Sequence, residues 1–245
     1  MYYTAKRRFV YGALGALSLG WAVMTGGAAS AHVTDTESYP PSEYESFQPP
    51  SQGLSYHDPI FGSEVWRLSD ALRTTNNADG GNLTFVMDEY STINVFNQDN
   101  SLFLLQHDSY FALYDAQRRY LGDLPWEIHA SSEPRWSRAD SRVLYFLNGN
   151  RLRRYDTSTG ALSTVRTFEE YQRISGNGES DICFDGDHLV LSGDGRHIFV
   201  YEISTDTKGK VLDTGGRSFD SLDLTPDDNV TVTWLQSGSS RYNGI

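Results

Sequence analysis

Four stretches of the chain line up on one another: Phe96-Asn-Gln-Asp-Asn-Ser-Leu-Phe-Leu-Leu105, Trp136-Ser-Arg-Ala-Asp-Ser-Arg-Val-Leu-Tyr145, Phe184-Asp-Gly-Asp-His-Leu-Val-Leu191 and Leu224-Thr-Pro-Asp-Asp-Asn-Val-Thr-Val232. Each is a bulky residue, a polar turn carrying Asp, then a run of β-formers. From Phe96 to Trp136, Phe184 and Leu224 the spacings are 40, 48 and 40 residues. A second marker keeps the same rhythm, in Tyr114-Asp115, Tyr155-Asp156 and Tyr201-Glu202, spaced 41 and 46 residues. Two markers with one period define a repeat.

The first unit divides into four short strands: Ser91–Phe96 (A), Ser101–Gln106 (B), Tyr110–Tyr114 (C) and Tyr120–Leu124 (D). Turn residues fall between them at 97–100, 107–109 and 115–119. Four antiparallel strands per forty residues is the blade of a β-propeller. A helical solenoid of that period needs amphipathic runs of ten or more residues, and only a patch around 167–173 reads as helix-like. The expected fold is therefore all-β, an incomplete propeller of about four blades over 56–245. Glu64–Asp70 is expected to be an outer strand that closes a C-terminal blade. The chain ends in what should be the third strand of its fourth unit, so the reading expects further blades beyond it.

The turns Phe-Asn-Gln-Asp-Asn, Trp-Ser-Arg-Ala-Asp and Leu-Thr-Pro-Asp-Asp resemble the Phe-Ser-Pro-Asp-Gly turn of TolB-type, WD40-like propeller repeats. Tyr155-Asp-Thr-Ser-Thr-Gly160 resembles the exit from the third strand in those repeats. The resemblance covers roughly residues 90–245. No unit carries the full motif, and the third is one residue shorter at the turn. It implies a fold and brings no catalytic residues with it.

Outside the repeats, Lys6-Arg7-Arg8 is followed by an uncharged, mostly apolar stretch from Phe9 to Met24 and by Ala29-Ser30-Ala31. That is the pattern of a cleaved signal peptide, 1–31, with a mature start at His32. Export to the periplasm or beyond is expected, by the general or the twin-arginine route, leaving no stable membrane span after cleavage. Residues 32–55 have the Pro- and Ser-rich composition of a disordered linker.

The formal net charge is −12, from 20 basic and 32 acidic residues. Without the leader's three basic residues the count is 17 against 32, a net of −15. Such a body repels polyanions, which excludes nucleic acid as a partner. The single cysteine, Cys183, cannot form an intramolecular disulfide and reads as a small buried apolar side chain. The Asn/Asp runs at 97–100 and 185–187 lack the spacing of a calcium loop and read as hairpin turns. No metal ligand is assigned, and the cofactor is left unknown. The histidines have no zinc-type spacing, which leaves only a site assembled from separate blades.

In a propeller the D–A and B–C loops share the face around the central channel. Those loops supply His107, Asp108 and Tyr110, then His129, Glu133 and Arg135. The long loop 167–181 adds Arg173, Glu179 and Asp181, and the last unit adds Asp220 and Arg241. The eight extra residues of the 48-residue unit make that loop the best pointer to a binding feature. The expected function is an exported propeller that engages a protein or a glycan through this face. The alternative is a polysaccharide lyase acting on uronate-containing glycans by β-elimination. There His107 or His129 would be the base and Arg135 would neutralise the carboxylate. Tyr56-His-Asp-Pro-Ile-Phe-Gly62 with Val65-Trp-Arg-Leu-Ser69 resembles the start of oligogalacturonate lyases.

Overall fold

The computed structural model describes residues 36–40, 44–177, 179–236 and 242–244. The segment expected to be a cleaved leader and Arg241 lie outside the described residues. Two compact units are present. One takes the described residues up to Gln48 together with Tyr56–Val65, and the other takes Pro49–Ser55 and everything from Trp66 onward. In the first, the rings of Phe47 and Tyr56 meet at 4.9 Å. The short strands β1 (Ser55–His57) and β2 (Glu64–Trp66) pair with each other. Of the expected outer strand Glu64–Asp70, the extended part is β2, which pairs with β1 along one edge.

The larger unit holds four successive antiparallel sheets. The first consists of β3 (Val86–Met87), β4 (Leu102–His107), β5 (Tyr110–Asp115) and β6 (Tyr120–Asp123). The second has β7 (Arg135–Trp136), β8 (Val143–Asn148), β9 (Arg151–Asp156) and β10 (Ala161–Thr167). The third has β11 (Ile174–Ser175), β12 (His188–Gly193), β13 (His197–Glu202) and, both pairing with β13, β14 (Thr207–Lys208) and β15 (Leu212–Asp213). The fourth has β16 (Phe219–Leu224), β17 (Val230–Leu235) and β18 (Tyr242–Gly244). Each sheet is an up-and-down meander, as the repeat predicts. Among the described residues the helical elements are two single turns, Tyr44–Ser46 and Ala71–Arg73, and the patch around 167–173 is not one of them. No helix there is long and apolar enough to cross a membrane.

The Tyr marker falls at one fixed place, and the bulky-residue marker does so in two of its four instances, since Phe96 forms an isolated bridge and Phe184 lies in an exposed turn. Tyr114, Tyr155 and Tyr201 are each the fifth of six residues in a third strand, opposite Phe103, Leu144 and Leu189. Trp136 and Leu224 end first strands. The first strand of sheet one departs from expectation. It is not continuous over Ser91–Phe96 but split: Val86 and Met87 pair with His107 and Gln106, then the chain loops out, and Phe96 bridges to Phe103. The third sheet is split in the same way, with Ile174 and Ser175 against Gly193 and Ser192, then a loop, then the Cys183 amide donating to His188 O.

Apolar side chains alternate along each strand and fill the spaces between neighbouring sheets. Leu104 and Phe111 of sheet one meet Trp136, Leu144 and Phe146 of sheet two. Leu147 and Leu152 of sheet two meet Leu189, Leu191, Phe199 and Tyr201 of sheet three around the fully buried Phe168. Val190 and Ile198 then meet Leu222 and Val232 of sheet four. The opposite face of sheet one gathers Phe103, Ala112 and Tyr114 with Leu68 and Leu105. Among the described residues no core cluster joins sheet four to sheet one, so the sheets are not closed into a ring, as in an incomplete propeller.

Candidate functional site

The loop after β4 turns on Asp108, whose φ of +51° is the left-handed conformation that Asp tolerates better than most residues. Its carboxylate is consumed locally. It accepts from the Thr84 and Phe85 amides at 3.0 Å, from Thr84 Oγ1 at 2.8 Å and from Asn76 Nδ2 at 3.2 Å. Burial alone would raise this carboxyl, but the hydrogen bonds from Phe85 and Thr84 outweigh it and hold the group below its ordinary value. Asp108 thus pins the segment 76–85 onto the first sheet. Tyr110, also buried, accepts the Asn77 amide at its hydroxyl and packs its ring against Trp126.

His107 is 2% exposed and points to the face of sheet one turned away from sheet two. Its Nε2 lies 2.8 Å from the Tyr114 hydroxyl, and its ring is surrounded by Tyr110, Tyr114 and Tyr120. Burial lowers the imidazole pKa, against the opposing pull of Asp123 and Asp108. Burial also pushes Tyr114 up to about 12, so both groups are neutral at pH 7. A cavity of about 310 Å³ opens here, lined by His107, Tyr114, Tyr120, Arg118, Thr75 and Asn77 among others. His129 is different. Its side chain is exposed, its Nδ1 accepts the Ser131 amide at 3.2 Å, and its backbone bridges to Tyr110.

The innermost strands carry a buried ionic bridge. Arg135, 3% exposed, donates from its guanidinium to Glu89 Oε2 at 2.5 Å, to Ser180 O at 2.6 Å and to Pro134 O at 2.9 Å. Glu89 and Ser180 come from the two looped-out segments of the split strands, so Arg135 joins three sheets. Burial outweighs the guanidinium's pull on Glu89, whose pKa rises from 4.5 to about 7, helped by the nearby charges of Glu133 and Asp181. Glu133, at φ +50°, accepts Ser175 Oγ and the Gly176 amide, each at 2.7 Å. A Cβ at Gly176 would lie 2.7 Å from Glu133 Oε2, so a larger residue there would displace the carboxylate from its bond to the Gly176 amide. Glu179 and Asp181, both half-buried, raise Asp223 in support of its own burial. Asp181 also pairs with Arg138 at 3.2 Å.

The long loop produces an open polar depression of about 730 Å³, more than twice the volume of the cavity beside His107. It is lined by Gln172, Arg173, Ser175, Asn177, Ser192, Asp194 and Gly195. Asp194, at φ +50°, accepts the Gln172 and Arg173 amides and so fastens the loop to the β12–β13 turn. Asn177, also left-handed at φ +59°, bonds to Ser192 Oγ and to Asp220 O. Of the side chains expected from sequence, Arg173 lines this depression, and Asp220 reaches its rim through a backbone carbonyl. Glu133, Arg135 and Asp181 gather at the inner bridge, while His107, Asp108 and Tyr110 belong to the first sheet's own packing. Glu89 and Asn177 were not expected. Glu89 lies where the sequence reads as the approach to a continuous strand, and Asn177 reads as an ordinary turn residue.

No protein-family model and no curated protein matches the chain. Solved structures do. An oligogalacturonate lyase from Vibrio parahaemolyticus aligns at a TM-score of 0.51 and 15% identity, over 76% of this chain and 53% of that one. An oligogalacturonate lyase in complex with manganese aligns at 0.51 and 17%, with the same coverage. A candidate TolB from Agrobacterium tumefaciens aligns at 0.45 and 13%, over 59% of this chain and 54% of that one. The chain spans about half the length of these structures. At such identities the likeness establishes fold alone. This chain shares the repeat-propeller fold of the oligogalacturonate lyases.

Proposed function

We propose that the chain is an exported β-propeller binding protein that engages a protein or glycan through its channel-side loops, with the depression at Gln172–Asn177 as the contact. The observation that carries this reading is the lining: amide, hydroxyl and guanidinium groups on a loop held from below by Asp194 and Glu133. Preorganised polar groups on a rigid scaffold suit hydroxyl-rich ligands, which favours a glycan. Residues 1–31 act as the export signal, 32–55 as a linker and 56–245 as the propeller, in the periplasm or outside the cell.

The geometry supports binding over β-elimination. Arg135, the cation assigned to charge neutralisation, is buried and engaged by Glu89 and Ser180. His107 is engaged by Tyr114. The test is calorimetric titration of the full chain with a panel of neutral and uronate oligosaccharides, with absorbance followed for unsaturated ends. Saturable binding that weakens at least tenfold in the Gln172→Ala/Arg173→Ala double variant supports the proposal. Binding unchanged in that variant would overturn the site. Unsaturated ends lost in His129→Ala would replace binding with lyase chemistry.

A further inference from the structure

The turn joining the first two strands of sheet three meets its counterpart in sheet four, and the side chains that meet are Cys183, Asp185, His188 and Asp228. Cys183 Sγ lies 2.8 Å from Asp228 Oδ1, and His188 Nδ1 lies 2.5 Å from Asp185 Oδ2 and 3.8 Å from Asp228 Oδ1. The donor atoms of Cys183, Asp185 and Asp228 all fall within 4.8 Å of one another. We propose that this cluster is a binding site for a borderline transition-metal cation of the zinc class, held by the Cys183 sulfur and one carboxylate oxygen each from Asp185 and Asp228, with His188 hydrogen-bonded to Asp185 beside them.

The donor chemistry selects the ion. Calcium and magnesium take oxygen ligands, whereas zinc accepts sulfur, nitrogen and oxygen together in tetrahedral sites. Ligands about 2.0–2.3 Å from a tetrahedral zinc stand about 3.3–3.6 Å from each other. The 2.8 Å between Cys183 Sγ and Asp228 Oδ1 is the length of a thiol hydrogen bond, and it must open by about 0.7 Å when an ion takes the proton's place. The backbone presents the donors before any ion arrives. Cys183 N donates to His188 O, and Gly186, at φ +81°, donates to Cys183 O, which sets Cys183 and His188 opposite each other across a tight hairpin. On the other side Asp228, at φ +58°, is placed by its amide's bond to Thr225 O. Cys183 is 4% exposed and the two carboxylates are open to solvent, so the ion has an entry path. Binding replaces the thiol proton with the metal. The S–H bond breaks, the proton leaves to solvent, and a sulfur–metal bond forms without change of oxidation state. The consequence is a clip between sheets three and four at the face opposite the proposed ligand loops.

Cys183 is the chain's one cysteine, so it alone can give a thiolate signal. The full chain, reduced and stripped with chelator, is titrated with cobalt(II) by absorbance and with zinc by calorimetry at pH 7.5. One equivalent should bind, with a near-ultraviolet thiolate-to-cobalt band that zinc displaces and Cys183→Ser abolishes. Asp185→Asn and Asp228→Asn should each weaken zinc at least tenfold. Saturating zinc should raise the melting temperature of the parent chain and leave Cys183→Ser unmoved. Absence of uptake, or uptake without the thiolate band, overturns the proposal. The parent spectrum decides the matter even if a variant fails to fold.

Discussion

Replacing Glu89 by Gln removes a charge from the most buried ion pair in the molecule while keeping the side chain's length and its acceptor for Arg135. The Glu89 pKa is raised in the fold, from 4.5 to about 7, chiefly by burial. A raised value means the folded state holds the proton more tightly than the unfolded chain. The resulting stabilisation is complete below pH 4.5 and disappears as pH rises through about 7. At roughly 1.4 kcal/mol per pH unit the whole effect is about 3 kcal/mol. Glu89→Gln has no proton to lose, so the gap between variant and parent should swing in the variant's favour by about that much between pH 4.5 and 8. Chemical denaturation of both chains at half-unit steps measures the gap, and titrating groups that do not interact with Glu89 cancel in the difference. If the two denaturation midpoints stay parallel across this window, or the variant loses ground as pH rises, Arg135 is holding the carboxylate charged and the reasoning fails.

Phe168→Ala should cost about 3–5 kcal/mol in the same assay, because a fully buried ring between Phe199 and Tyr201 leaves a cavity. A cost under about 1 kcal/mol would mean sheets two and three are not packed as described. Gly193→Ala should also destabilise, by about 1–3 kcal/mol, since the new Cβ would lie 2.6 Å from the Tyr171 ring stacked on Phe199. The double variant Gly193→Ala/Tyr171→Ala should show no further steric penalty, and equal additive losses would refute that cause. Asp108→Ala should speed amide exchange at Thr84 and Phe85 while Phe146 and Phe199 keep their protection; uniform loss across all four would show that Asp108 is not a local fastening.

The fold was open to reading because a propeller repeats its physical problem. Every sheet must alternate apolar residues to both neighbours and turn at the same places, so Tyr114, Tyr155 and Tyr201 recur in register. In the first unit the second, third and fourth strands therefore fall within a residue of their expected bounds. First strands do not. A strand interrupted by a loop has no period of its own, and the 88–94 and 176–182 segments look like irregular ends to regular runs. At Glu64–Asp70, alternation shows that a segment can be extended but does not name its partner, and the pairing with β1 could not be read from it.

The site residues were half legible, and the missing half follows from the period itself. Loop length pointed to Arg173 and its neighbours, because excess chain on a rigid scaffold has to be accommodated at the surface. Hydrogen-bonding partners were invisible to a reading that took each loop alone. Yet they obey one rule. Glu89 meets Arg135 at a separation of 46 residues, Arg135 meets Ser180 at 45, Glu133 meets Gly176 at 43, Asn177 meets Asp220 at 43, and Cys183 meets Asp228 at 45. Asn97 to Ser141 and Arg138 to Ile182 are 44 residues apart. Each pair spans one repeat, because equivalent points of adjacent sheets are brought side by side by the same rotation. A buried charge on one inner strand should thus find its counter-charge about one period away on either side, and a lone cysteine in one turn should find donors in the matching turn of the next sheet. Applied to the sequence, that spacing brings Glu89, Glu179 and Asp181 into range of Arg135, and Asp140, Asp227 and Asp228 into range of Cys183, and the fold selects Glu89 and Asp228.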